Sequence, residues 1–160
     1  MRIRNASLAD SALLLDWRNS ETARINSFSD HVISKSEHEN WLNAVLVDSR
    51  YCIYLISQNS EEIAVVTFYR EMGLSFNVSI NINPLHRGKG LAKKALLLAE
   101  SQLVRLYCDE LETKVLILKA KILIKNTISR RLFESSLFKL ANTEIDYLLM
   151  TKELKLIKKT

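Results

Sequence analysis

The chain has 160 residues, 48% of them apolar and 26% charged, with a formal net charge of +5. That length supports one hydrophobic core of ordinary size and is short for two, so a single domain over residues 1–160 is expected. No apolar run approaches the roughly 20 residues of a membrane span, and Met1-Arg2-Ile3-Arg4-Asn5 lacks the apolar stretch of a signal peptide, so a cytoplasmic protein with no membrane partner is expected.

In chain order, Ile3 to Ala6 reads as a short strand and Leu8 to Arg18 as a helix with Leu13, Leu14 and Trp17 inward. A polar loop follows. Ser34-Lys35-Ser36-Glu37 is a capping box, which starts a second helix running to about Asp48. Tyr51 to Ser57 and Ile63 to Tyr69 are β-branched and aromatic runs joined by Gln58-Asn59-Ser60-Glu61-Glu62, the pattern of a hairpin. Leu74 to Asn83 alternates, with Phe76, Val78, Ile80 and Ile82 on one face and Asn77, Ser79, Asn81 and Asn83 on the other. From Leu91 to about Leu106, Leu91, Ala95, Leu98 and Ala99 form one helical stripe that Leu96 and Leu103 widen, so this helix is mostly buried. Val115 to Ile124 reads as a strand, Ser129 to Ser136 as a shorter helix, and Asp146 to Met150 as a closing strand. The fold class is α/β, with a mixed sheet.

Two of the three glycines stand in Arg87-Gly88-Lys89-Gly90-Leu91-Ala92, between a strand ending in Pro84 and the longest helix. Glycines permit a tight turn that aims several N–H groups inward, and a helix start adds its positive end, which together make a cradle for phosphate. The dinucleotide fingerprint fails because Lys93 holds its third glycine position, and the nucleoside-triphosphate loop fails because no Gly-Lys-Ser/Thr is present. Charge is uneven around the loop. Residues 1–80 carry 7 Lys/Arg against 10 Asp/Glu, and residues 81–160 carry 16 against 8. The basic half favours a polyanionic small molecule; nucleic acid ranks last, since no recognition motif accompanies the charge. Cys52 and Cys108 have neither metal-ligand spacing nor a nearby His, so no metal site and no disulfide framework is expected.

Arg87, Gly90 and Ala92 make an Arg-x-x-Gly-x-Ala pattern, and Asn126-Thr127-Ile128-Ser129-Arg130-Arg131-Leu132-Phe133-Glu134 makes an Asn-x-x-Ser-x-x-Leu-aromatic-Glu pattern. In both, and in element order, the chain resembles the Gcn5-related N-acetyltransferases (GNAT). The resemblance implies a mostly antiparallel sheet splayed around acetyl-CoA, with about four helices. It implies that Asn81 and Ile82 offer backbone groups to the pantetheine arm, that Arg87, Gly88, Lys89, Gly90, Leu91 and Ala92 hold the pyrophosphate, and that Asn126 and Ser129 lie beside the coenzyme. Asn126 and Ser129 also fit a plain helix cap.

The family often places a Glu on the central strand as base and a Tyr as acid, and those positions here are Asn77 and Phe133, neither of which can do that work. Glu71, His31 and His38 are the substitutes for the base, and Tyr69 and Tyr147 for the acid. Trp17-Arg18-Asn19 and Ile33-Ser34-x-Ser36-Glu37-His38-x-x-Trp41 resemble the subgroup that acetylates nucleotide-linked amino sugars in bacterial surface-glycan pathways of the pseudaminic acid type. Under that resemblance Arg18 holds a phosphate, Asn19 bonds sugar hydroxyls, and His38 and Trp41 line the acceptor site. The packing alternatives are core anchors for Trp17 and Trp41, a helix-surface place for His38 and an ion pair for Arg18. Acetylation of a protein N-terminus, a ribosomal protein or a small amine, and an acetyl-CoA-binding module without turnover, stay open beside it, as do monomer and homodimer.

Overall fold

The computed structural model describes residues 1–108 and 115–155. Seven strands, β1 (Arg2–Asn5), β2 (Tyr51–Gln58), β3 (Glu61–Arg70), β4 (Ser75–Ile82), β5 (Val115–Leu123), β6 (Lys139–Thr143) and β7 (Tyr147–Lys155), form one sheet in the order β1-β2-β3-β4-β5-β7-β6. Every neighbouring pair is antiparallel except β4 and β5, which run parallel. Five α-helices lie among the described residues: α1 (Ser11–Asn19), α2 (Glu21–Ile25), α3 (Lys35–Val47), α4 (Leu91–Tyr107) and α5 (Thr127–Ser135).

Strand alternation sends two apolar sets to opposite faces, and each recruits helices. On one face Val66, Phe68, Phe76, Leu116 and Leu118 pack against Ala95, Leu96, Ala99 and Leu103 of α4. Each such large side chain contributes about 1.5–3 kcal/mol on burial. On the other face Ile53, Leu55 and Ala6 meet Leu14 and Trp17 of α1 and Leu42 and Val45 of α3. This second cluster covers only the β2 side, so β4 and β5 keep a polar face of Asn77, Ser79, Lys119 and Lys121 on that side.

Three local expectations change. The helix expected from Leu8 splits into a 3-10 turn at Leu8–Asp10 and α1, because the Asp10 carboxylate folds back to accept from Ser7 N at 2.8 Å and from Arg4. The polar loop after α1 contains the short α2. Strand β6 has no amphipathic alternation to announce it: all five residues are exposed, and it pairs with β7 alone across a register shift at Leu140/Asn142. The capping box at α3 forms as expected, with Glu37 N donating to Ser34 Oγ at 3.2 Å. The hairpin turn tightens to Asn59 and Ser60, both in the left-handed region that two-residue hairpins require.

Candidate active site

The β4–β5 ladder has three register pairs and ends at Asn77 opposite Lys119. Beyond that pair the strands part. Glu71 N donates to Ser75 O and Asn83 N to Ile63 O, both at 2.9 Å, so the odd-numbered residues of β4 turn their main-chain groups toward β3. Ile117 N donates to Leu74 O, which sends the even-numbered residues toward β5. Ile80 and Ile82 therefore aim main-chain groups into the wedge between the parted strands. This corrects one expectation: the Asn81 backbone belongs to the β3 ladder, and Ile80 stands where Asn81 was expected.

At the open end of the wedge, Asn83 Oδ1 accepts from Leu85 N at 3.0 Å and starts a 3-10 turn at Pro84–His86 that leads into the glycine loop. Gly88 and Gly90 have φ of +73° and +69°, a region costly for residues with a Cβ. Among the described residues, nothing accepts a hydrogen bond from the N–H of Gly88 or Gly90, and the first amides of α4 lack intrahelical partners as in any helix. Among the described residues beyond each glycine's immediate chain neighbours, nothing lies within 4 Å of where a Cβ would stand on either glycine. Unpaired donors, open space above them and the positive end of a 17-residue helix fit a pyrophosphate.

Arg87 does something other than expected. Its side chain turns inward, with Nε donating to Ile82 O at 3.2 Å and Nη2 to Ser20 Oγ at 2.9 Å and Asn81 Oδ1 at 3.3 Å. The guanidinium thus ties the loop to β4 and to the α1–α2 junction. Asn126 is buried and caps α5, accepting from Ser129 N at 3.0 Å, so the capping alternative is the arrangement observed; its Nδ2 lies 3.5 Å from Asn26 O. Phe133, 4% exposed, packs edge-on against Phe138 in the core.

Where the ladder ends, Asn77 Nδ2 donates to Glu71 Oε1 at 2.6 Å and Lys119 Nζ pairs with Glu71 Oε2 at 2.9 Å. Lys119 and Asn77 together hold the Glu71 carboxyl below its ordinary pKa, so it is charged at neutral pH. Tyr69, opposite Asn77 in the β3–β4 register, accepts from Arg50 Nη1 at 3.2 Å and packs on Tyr51. Of the five substitutes for base and acid, only Glu71 and Tyr69 adjoin the end of the ladder. His31 sits on the exposed α2–α3 loop between Ser29 and Glu37. His38, 4% exposed, faces the helix layer, where burial lowers its pKa and keeps it neutral, which overturns both its acceptor-site and helix-surface readings. Trp41 is 44% exposed and stacks near His38, so it is not a core anchor, whereas Trp17 is.

The amide of Asn19, expected on sugar hydroxyls, is taken in both directions by the Ile33 backbone at 2.8 and 2.9 Å. Arg18 donates to Ser29 O at 2.9 Å and makes no ion pair among the described residues. Both residues brace the α2–α3 loop. That loop supplies Phe28 and Asp30 to a cavity of about 600 Å³, whose other walls are Leu123 at the end of β5, Lys125 just after it, and Ile145 and Asp146 in the β6–β7 turn. Phe28 meets Tyr147 edge-on at 5.8 Å, and Lys121 Nζ lies 5.9 Å from the Tyr147 ring centre. Among the described residues, no carboxylate comes within 4.0 Å of Lys121 or Lys125. Composition gave no sign of this cavity, because its walls come from three separate loops.

Residues 1–139 match the acetyltransferase (GNAT) domain family. The chain belongs to the GNAT family. It is an acetyl-CoA-dependent acetyltransferase, and its GNAT fold recurs in solved structures. Spermidine N-acetyltransferase from Vibrio cholerae, in complex with CoA and spermine, superposes with a TM-score of 0.79 at 16% identity over 97% of this chain and 95% of that one. Ribosomal-protein-alanine N-acetyltransferase from Brucella melitensis gives 0.71 at 20% identity over 96% and 100%. The yncA protein of Salmonella typhimurium, solved with its cofactor acetyl-CoA, gives 0.69 at 22% identity over 100% and 96%. No curated protein matches the chain significantly in sequence.

Proposed function

We propose that this acetyltransferase acts on the primary amine of a nucleotide-linked amino sugar. The cavity of about 600 Å³ beside the end of β5 carries that reading. Phe28 offers an aromatic face to a base, Lys125 and the nearby Lys121 make no ion pair within 4.0 Å among the described residues and can meet a diphosphate, and Asp30 and Asp146 can accept from sugar hydroxyls. The same two aspartates favour a second reading, a small polyamine, which the likeness to a spermidine N-acetyltransferase also suggests.

Bound acetyl-CoA supplies an activated thioester. Amides from Gly88 to Ala92 hold its pyrophosphate, and the main chain of Ile80 and Ile82 lines its pantetheine arm. Transfer forms a C–N bond as the C–S bond breaks, so the amine must lose a proton and the thiolate gain one. Asn77 orients without taking a proton, and Glu71, 2.6 Å away, receives it through water. Phe133 is in the core and gives nothing, so solvent protonates the thiolate.

The deciding assay incubates the protein with acetyl-CoA and a panel of nucleotide amino sugars, peptides and polyamines and follows thiol release. Turnover confined to nucleotide sugars is the expected result. Turnover confined to polyamines establishes the second reading, and acetyl-CoA binding with no turnover on any class leaves a binding module.

A further inference from the structure

We propose that Lys119 is a positioning residue for acetyl transfer, acting through Glu71 to hold the Asn77 side chain in one orientation where β4 and β5 part. This rests on the reading of Glu71 as the group that receives the amine's proton. Glu71 stands at the β3–β4 turn, which closes with Glu71 N donating to Ser75 O at 2.9 Å and Ser75 N to Met72 O at 3.1 Å. From there its carboxylate spans the last pair of the β4–β5 ladder. Asn77 Nδ2 donates to Oε1 at 2.6 Å and Lys119 Nζ to Oε2 at 2.9 Å.

A charged carboxylate only accepts hydrogen bonds, so it decides which end of the Asn77 amide faces it. The other end, Asn77 Oδ1, is buried and has no hydrogen-bond partner among the described residues, so the amide is held by Glu71 alone. A protonated Glu71 can donate to Oδ1 and let the amide turn over; Lys119 opposes this by keeping the carboxyl charged and in place. Lys121, on the same face of β5, favours the charged form as well. Elsewhere around Glu71, Tyr69 of β3 is bonded to Arg50, Arg70 turns onto Tyr107, and β7 sets Thr151 opposite Lys119 and Glu153 opposite Ile117. The ion pair adds little to stability, since its side chains are 33% and 32% exposed and main-chain bonds hold the ladder beside it. Its effect falls on the reaction. As the amine nitrogen bonds the acetyl carbon and the C–S bond breaks, the amine's proton passes through water to a carboxylate fixed against Asn77.

Lys119→Met, Lys119→Arg and Glu71→Gln are compared with the parent protein. The side-chain amide signals of Asn77, identified by their loss in Asn77→Ala, are followed by NMR without ligands from neutral pH to about pH 4. They should move only at the acid end in the parent, at higher pH in Lys119→Met, near the parental range in Lys119→Arg, and without that step in Glu71→Gln. With whichever amine the panel identifies, Lys119→Met should lower kcat at neutral pH about three- to tenfold, the range of one lost hydrogen bond, with acceptor KM and acetyl-CoA affinity little changed. Lys119→Arg should restore most of it. Base strength alone predicts the opposite, because Glu71 freed of Lys119 is the stronger base. An Asn77 titration indifferent to Lys119, or a kcat unchanged or raised in Lys119→Met while Glu71→Gln is crippled, overturns this proposal and leaves the role of Glu71 standing. A Glu71→Gln variant with the parental kcat, or a parent that turns over no amine, overturns both.

Discussion

Asp10 carries the clearest single-residue effect on stability. Its two oxygens take Arg4 at 2.8 and 2.9 Å and Ser7 N at 2.8 Å, and the Arg4 bonds hold its pKa at about 2, against an ordinary 3.8. A depressed carboxyl stabilises the fold above its unfolded pKa and loses that contribution as pH falls through the folded one. Asp10→Asn should therefore cost at most about 2 kcal/mol at pH 7, the gap to the parent narrowing between pH 4 and 2, as read by urea denaturation across that range. At Gly90 the cost lies in the backbone: φ is +69° and a Cβ would meet nothing within 4 Å. Gly90→Ala should lose about 1–2 kcal/mol of stability. Gly90→Val should fill the open space proposed for the pyrophosphate and weaken acetyl-CoA binding, as calorimetry would record. The glycines were legible because their φ requirement is written in residue type. The directions of Arg87 and Asn19 were not: both are polar side chains whose partners, Ser20 and Ile33, follow only from tertiary placement.

At the scale of elements, α4 and β7 are joined by the Glu100–Lys152 pair, 2.6 Å apart with both side chains nearly buried. Burial pushes the Glu100 carboxyl above its ordinary pKa and Lys152 pulls it back. Glu100→Leu alone strands an ammonium in the core and should cost about 3–5 kcal/mol, whereas Glu100→Leu with Lys152→Met should recover most of that loss, measured as urea midpoints. Elements with a strong internal period were readable: α4, the β2–β3 hairpin and the α3 cap each carry their own signal. Helix α2 and strand β6 do not, since α2 is one short turn held by its bonds to neighbours and β6 exists only as the exposed partner of β7. The glycine turn between β4 and α4 was legible for the same reason as the hairpin, because its residues are contiguous. The cavity proposed for the acceptor, assembled from residues near 28, 124 and 145, was not.

At the scale of the molecule, β4 and β5 are the one parallel pair among the described strands, a pairing that needs a crossover, and α4 lies between them in the chain and packs on the sheet face. The ladder there stops after three pairs, so the sheet is built with a seam. A ligand lying in the seam takes the part of a strand that was never supplied, and it links the two halves of the sheet through its own amides. That gives the apo protein a specific signature in deuterium uptake. The amide of Ile80 should exchange with solvent far faster than that of Asn81, its neighbour in the β3 ladder, and should become slow once acetyl-CoA is present. Equal rates for the two amides in the apo protein would mean that the seam is closed in solution. On the proposed placement of acetyl-CoA, the coenzyme is a structural member of the sheet as well as a reactant, and the enzyme is most completely folded when loaded for transfer.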